Sequence, residues 1–358
     1  MTVLADVHEA HGATFDERGG RTVVDHYGRH PRTHRAVRNG VGFIEHCYGV
    51  ITVEGSDRVE YVDNAVSNRV PDDDGRGVYA LLLDPQGRIE TDMYVYNADE
   101  RLLVFTPPTE AEPLAEEWRE KTFIQDVEFT VATDDFAVFG VHGPQATEKI
   151  ASVSSEGTPE SHLSFTRGSL GDAGVTTIRT DAPTGEEGYD VVCAAETAAE
   201  VFDTLENRGL NAVPFGYRTW DTLTLEAGTP LFETELAGTL PNDLGLRNAV
   251  DFEKGCFVGQ EVVSRIENRG QPGKRLVGLT VGGIPGPGAS VFEGDAAVGA
   301  VTRAAESPQR EEPIALALID ADAGDDLSVR VDGSELPAGR VTLPFVEGSE
   351  RSARLPDY

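Results

Sequence analysis

Four short stretches hold the residues whose types and spacing suit chemistry. KGCFVGQEVVSR, residues 254–265, sets a lysine, a cysteine, two glycines and a Gln-Glu pair together in a chain with three cysteines and four lysines. A thiol beside a cation becomes nucleophilic if the cation lowers its pKa, so Cys256 and Lys254 are candidates; a small buried cysteine is the alternative. Gly259, Gln260 and Glu261 read as a turn into a helix, where free backbone N–H groups can hold a carboxylate or phosphate. Arg265, Arg269, Lys274 and Arg275 follow, and they either bind a polyanionic tail or offset the acidic surface.

GRIETDMYVY places Asp92 and Tyr96 on one side of a strand, because residues i and i+4 share a face of the pleat. A carboxylate and a phenol projecting together can orient a polar heterocycle, and a solvated strand end is the competing reading. PTGEEGYD turns tightly at Thr184, Gly185 and Gly188, presenting Glu186, Glu187 and Asp190, either to a ligand or as a surface hairpin. In GYRTWDTLTLEAG, Trp220, Leu223 and Leu225 read as core positions, and Glu226 as a cap partner or ligand contact.

These residues need a scaffold. The opening 30 or so residues, rich in His, Arg and Gly, read as a loose arm. GVGFIEHCYGVITVEGSDRVEYVDNAVSN reads as strand, turn, helix, and VYALLLDPQGRIETDMYVYNADERLLVFTPP as two or three strands joined at Pro85-Gln86-Gly87 and Asn97-Ala98-Asp99. EAEPLAEEWREKT is a helix with acids at its start and Lys121 near its end, as the helix dipole prefers. FAVFGVHGPQATEKIASV is another strand, turn and helix, and GVTTIRT…ENRG gives two strands and a helix. Short connections between adjacent strands favour antiparallel pairing, hence an α+β fold with hairpins. From about Val277 onwards Gly, Pro and Val dominate in short alternating runs, which reads as a small barrel or sandwich ending near PFVEGSERSARLPDY. The domain division is 1–275 and 276–358.

Composition narrows the function. Asp and Glu total 62 against 30 Lys and Arg across 358 residues, a formal charge of -32. Such a charge repels nucleic-acid phosphates and anionic lipid, which argues against either partner. With four lysines the remaining 26 basic residues are arginine, and this acidic, lysine-poor balance is similar to that of proteins from salt-accumulating microbes. Cys47, Cys193 and Cys256 are far apart, with no CxxC and no Cys/His cluster at zinc spacing, so no metal site is expected. The first residues lack a basic n-region and an apolar h-region, and no run of about 18 apolar residues occurs, so a cytoplasmic location is expected.

Taken in order, the segments GVGFIEHCYGVITVEGSDRVEYVDNAVSN, LLLDPQGRIETDMYVY, VHGPQA, TGEEGYD, LEAGTPLFETEL, VDFEKGCFVGQE and VGAVTRAAESP resemble the glycine-cleavage T-protein (aminomethyltransferase) superfamily over nearly the whole chain. KGCFVGQE resembles the YgfZ branch, tetrahydrofolate-binding proteins linked to iron–sulfur enzyme maturation. The combination with the acidic surface is similar to a halophilic archaeal member. The resemblance implies a cloverleaf of two intertwined α+β subdomains and a C-terminal β-barrel around a folate channel. It implies tetrahydrofolate as cofactor, Asp92 beside its reacting nitrogens, Tyr96 against it, and Glu186 and Asp190 as carboxylates for the pterin. Lys254, Cys256, Gln260 and Glu261 would form the functional turn. Implied partners are folate and either iron–sulfur enzymes or a one-carbon donor; the alternative activity is that of a tetrahydrofolate-dependent aminomethyltransferase or demethylase. Two departures stand out. Trp220 replaces the arginine that precedes the aspartate of the family's ARD-type motif, here Asp221, and Thr91 replaces the first of its paired aspartates. Both put handling of a lipoyl-bound aminomethyl group in doubt.

Overall fold

The run GFIEHCYGVITVE breaks at Cys47 and Tyr48 into two strands that enter different sheets, and this split organises the molecule. A computed structural model describes residues 2–331 and 333–358, with Arg269 in its backbone only, so the Arg269 side chain lies outside the described residues. The opening residues are ordered rather than a loose arm. They form α1 (Ala5–Ala10), β1 (Thr14–Arg18), β2 (Arg21–His26) and α2 (His30–Asn39). Gly19 and Gly20 supply the two successive positive φ angles, 53° and 70°, that a two-residue hairpin turn requires.

Next, β3 (Gly42–His46) starts one sheet and β4 (Gly49–Glu54) another. With α3 (Arg58–Ala65), β5 (Arg76–Leu83), β6 (Ile89–Asn97), β7 (Arg101–Thr106), α4 (Ala111–Lys121) and β8 (Glu128–Val131), the second sheet is antiparallel in the order β5-β6-β7-β4-β8. The chain then returns to the first sheet through β9 (Phe136–His142), α5 (Ala146–Val153), β10 (Phe165–Leu170), β11 (Ala173–Arg179), β12 (Gly188–Ala194), α6 (Ala198–Asn207) and β13 (Val213–Pro214). Its order is β10-β11-β12-β9-β3-β13, parallel at the β13–β3 pair. One sheet thus interrupts the other in sequence, and the two α+β units are intertwined.

Helix α7 (Tyr217–Glu226), a π-helical turn at Phe232–Leu236, α8 (Pro241–Leu244) and α9 (Gln260–Arg269) lead to the barrel. It is closed by β14 (Lys274–Val281), β15 (Ser290–Glu293), β16 (Ala296–Ser307), β17 (Glu312–Asp320), β18 (Asp326–Val331) and β19 (Ser334–Val341). A boundary after residue 275 therefore falls inside β14. PFVEGSERSARLPDY is not barrel but a return strap: the Ala353 N–H donates to the Asp181 carbonyl and the Asp357 N–H to the Gly245 carbonyl, each at 3.0 Å. Gly348 has to lack a side chain here, because a Cβ would collide with the Gly185 carbonyl.

The pleat of β6 sorts its residues. Asp92, Tyr94 and Tyr96 share one face, while Met93 and Val95 share the other, packing with Val62, Leu114 and Trp118 under α3 and α4. Each fully buried Leu or Val there contributes about 1.5–3 kcal/mol. Tyr94 and Tyr96 instead join a central core with Val138 and Val192 of the other sheet, Leu225 of α7 and Leu316 of the barrel. All three units therefore meet where β6 presents its polar face. No helix among the described residues is long and apolar enough to cross a membrane.

Candidate functional site

A cavity open to solvent lies at this junction. β6 contributes Asp92 and Tyr94, the end of β3 contributes His46 and the following Tyr48, and α7 contributes Tyr217 and Trp220. The Tyr48 ring stacks on Phe105 with centroids 5.6 Å apart, and Tyr94 meets Tyr48 edge to face at 6.4 Å. Aromatic faces and edges fixed this way suit a flat heterocycle. The polar groups are few and anchored. Asp92 Oδ2 accepts a hydrogen bond from the Tyr79 hydroxyl at 2.8 Å, and the Tyr94 hydroxyl donates to Asp181 Oδ1 at 2.8 Å. Arg354 Nε lies 3.2 Å from Asp181 Oδ2, and its guanidinium sits 5.0 Å from the centre of the Tyr79 ring. Burial raises the Asp92 carboxyl above its ordinary value against the opposing pull of Arg354 and Tyr79. Such a carboxyl can accept a hydrogen bond or a proton from a ligand nitrogen.

Next to the cavity, Asp190 on β12 lies with its Oδ1 3.8 Å from Nε2 of His46. Burial, helped by the charge of Asp181, pushes the Asp190 carboxyl up to about 7. Burial lowers the His142 imidazole to about 3 and holds His46 well below its ordinary value, with His142 and Arg18 adding to the latter. Both imidazoles are neutral at pH 7. Trp220 presses edge-on against His46 at 4.7 Å and lies 5.2 Å from His142. At the mouth, Arg18 bonds Asp221 at 2.9 Å and Glu233 at 3.0 Å and covers the Tyr217 ring at 4.5 Å.

The residues expected from sequence divide. Asp92 lines the cavity, and Asp190 stands beside it. Tyr96 does not line it; 1% exposed, it packs behind Tyr94 against Phe105 and Phe165, so the phenol beside Asp92 is Tyr94, two residues on rather than four. Glu186 is engaged on both oxygens, accepting from Arg38 at 2.9 Å and from the Ser349 N–H at 2.8 Å. The KGC turn lies apart, and none of its residues lines the cavity. Lys254 Nζ is spent on the carbonyls of Asp63, Val66 and Asn68 at the C-terminal end of α3. The Gln260 side chain donates to the Lys254 carbonyl at 3.2 Å, and Cys256 and Glu261 are exposed. Gly259 at φ 80° starts α9 against the Asp84–Gly87 turn, a structural joint rather than a wall of the cavity. Thr91 is buried and bonds the Asp92 carbonyl at 3.2 Å.

Sequence reasoning missed Tyr79, His46, Tyr48, Arg18 and Arg354. Tyr94 was legible from the same pleat rule that selected Asp92 and Tyr96. Arg354 had no signal, since nothing local in SARLPDY tells of a return to β6.

Fold and site together define a class. Residues 4–254 match the family model described as the GCVT N-terminal domain, and residues 274–347 that of the glycine cleavage T-protein C-terminal barrel domain. The chain is 33% identical over 369 residues to the aminomethyltransferase of Cutibacterium acnes, covering 97% of this chain and 98% of that one. It is also 33% identical over 361 residues to the aminomethyltransferase of Streptomyces coelicolor, covering 96% of each. The crystal structure of glycine cleavage system aminomethyltransferase T from Bartonella henselae superposes with a TM-score of 0.87 at 22% identity over 98% of both chains. The chain belongs to the glycine-cleavage T-protein (aminomethyltransferase) family, which works with tetrahydrofolate.

Proposed function

We propose that this protein is a tetrahydrofolate-dependent one-carbon transferase of the aminomethyltransferase type, with the pterin held in the cavity between Tyr94 and Trp220. The observation that carries the reading is Asp92: a buried carboxyl, anchored by Tyr79, on the cavity wall of a family that works with tetrahydrofolate. In this role Asp92 orients the folate secondary amine as its lone pair attacks an iminium-like carbon of the donor. A C–N bond forms as the π pair of the donor's C=N bond shifts onto the donor nitrogen, and Asp92 takes the proton that the folate nitrogen loses. The oxygen of Asp190 not facing the histidines is available to the pterin N–H donors.

The iron–sulfur maturation reading rests on KGCFVGQE. The names of the relatives favour the transferase, and the cavity gains nothing from that turn. Trp220 makes an aromatic wall where the family pattern has a cation, so the donor proposed is a small amine rather than a lipoyl arm.

Asp92→Asn keeps shape and hydrogen-bonding reach but cannot accept the proton. Assayed for methylene transfer to tetrahydrofolate from N-methylene or aminomethyl donors, it is expected to lose about 10²–10⁴ in kcat while folate affinity changes little. Equal turnover in variant and parent contradicts the role.

A further inference from the structure

Three adjacent strands bring Asp190 together with two buried histidines that the one-carbon reaction leaves unexplained. His46 on β3, His142 on β9 and Asp190 on β12 share one face of the first sheet, because Gly140 pairs with Asp190 on one side and Ile44 on the other, two residues from His142 and from His46. One ligand atom from each lies within 4.8 Å of the other two. We propose that His46, His142 and Asp190 bind a divalent transition-metal ion of the zinc class beside the cavity.

Four observations carry it. The residue types are right: two imidazoles and a carboxylate are a common three-ligand set for zinc, leaving a fourth position for water or a substrate heteroatom. The spacing is right as well. The 3.8 Å between His46 Nε2 and Asp190 Oδ1 is long for a hydrogen bond. Two ligands about 2.0–2.1 Å from one tetrahedral ion stand roughly 3.4 Å apart, so this pair needs only a small inward movement and the other two, within 4.8 Å, have to close further. The polar atoms are also orphaned. His46 Nε2, both ring nitrogens of His142 and Asp190 Oδ1 are buried without a hydrogen-bond partner, although these residues are at least nine-tenths buried. Native structures leave few such groups, and each is costly unless something occupies the space between them.

The fourth observation is the space itself. A Cβ at Gly140 would collide with Nε2 of His46 and stand 2.7 Å from Nε2 of His142, and a Cβ at Gly188 would stand 2.7 Å from Nδ1 of His142. Gly140 therefore leaves room for the two Nε2 atoms to come together, while Gly188 leaves room for the Nδ1 edge of His142. Strands hold the three backbones, and the Trp220 ring backs both histidines, which is the rigid, apolar surround that metal sites use. The proposal does not rest on the folate reading, since Asp190 Oδ1 serves the ion and its other oxygen remains for a second partner.

The test uses the full-length protein, stripped with a chelator, in high salt and without folate. Zn²⁺ is titrated in competition with a chromophoric chelator, and Co²⁺ binding is followed in the visible. One ion per chain with a four-coordinate Co²⁺ spectrum is expected. His142→Gln and Asp190→Asn are each expected to weaken binding by about 100-fold or more, as is Gly140→Ala, which keeps all three ligands but fills the space between them. His162→Gln, at a histidine paired with Glu350 elsewhere, is expected to bind as the parent does. Because core variants can lose their fold, the parent alone is also melted at increasing zinc, and its Tm is expected to climb with concentration. Either of two results overturns the proposal. One is no stoichiometric binding and no rise in Tm, which leaves water alone in the cluster; the other is undiminished binding in folded His142→Gln, which puts the ion on the acidic surface.

Discussion

Lys254, expected at the functional turn and among the cofactor-binding residues, is engaged by backbone carbonyls away from the cavity. Its ammonium meets three carbonyls at the end of α3, where a helix leaves carbonyls unpaired and the dipole favours a cation. Lys254→Met keeps the stem and deletes the donors. It is expected to lower stability by about 2–4 kcal/mol, read by denaturant unfolding, with folate binding per folded molecule unchanged. Loss of binding in a fully folded variant would return the lysine to the functional site. Asp92 was legible because the two-residue period of a strand is a strong constraint, and the same period pointed equally at Tyr94 and Tyr96. Only packing separates them, Tyr96 being enclosed by Phe105 and Phe165. His46, His142 and Asp190 were illegible as a cluster, because their proximity comes from strand pairing across some 140 residues and not from spacing.

Helix α7 is the element that locks the three units together, through its last residue. Glu226 accepts from His34 at 2.9 Å and Arg38 at 2.8 Å on α2, and from Ser307 of the barrel at 2.5 Å. Burial alone would raise the Glu226 carboxyl, but the His34 hydrogen bond and the Arg38 charge, with Ser307, hold it below its ordinary value. A carboxyl depressed in the folded state adds stability above its unfolded pKa, near 4.3, and that part is lost as pH falls through the folded value. Glu226→Gln is therefore expected to cost about 3–5 kcal/mol at pH 7, with the difference from the parent shrinking towards pH 3. Denaturant unfolding at both pH values checks this, and a difference that does not change with pH contradicts it. That Trp220, Leu223 and Leu225 are core positions was legible, whereas the sequence left helix and extended segment both open. The division of labour at Glu226 was not, since its partners come from two other units. Strands with clear alternation were found, whereas the opening hairpin was hidden behind a His- and Arg-rich composition that resembles a solvated arm.

The whole chain carries -32, and most of that charge must sit on the surface. At about 0.1 M salt charges interact over about 10 Å, and at about 1 M over about 3 Å, so the self-repulsion is screened only in concentrated salt. Moving from about 0.1 M to about 1 M KCl is expected to raise Tm by about 5 °C or more. A Tm that stays level or falls would contradict a surface adapted to high salt. Connectivity across the molecule was also the least legible feature. The final residues read as the end of the barrel, yet they cross back to place Arg354 against Asp181 and the Tyr79 and Tyr94 rings. The family resemblance fixed the architecture, while this return contact is visible only in three dimensions.

The cavity proposed to bind tetrahydrofolate is the one walled by Asp92 and Tyr94. Calorimetric titration in high salt with tetrahydrofolate and 5-formyl-tetrahydrofolate, on the parent, Asp92→Ala and Cys256→Ala, tests it most directly. Saturable one-to-one binding is expected for the parent and for Cys256→Ala, with binding at least about tenfold weaker in Asp92→Ala. Absence of binding to the parent, or equal affinity in Asp92→Ala, would contradict it.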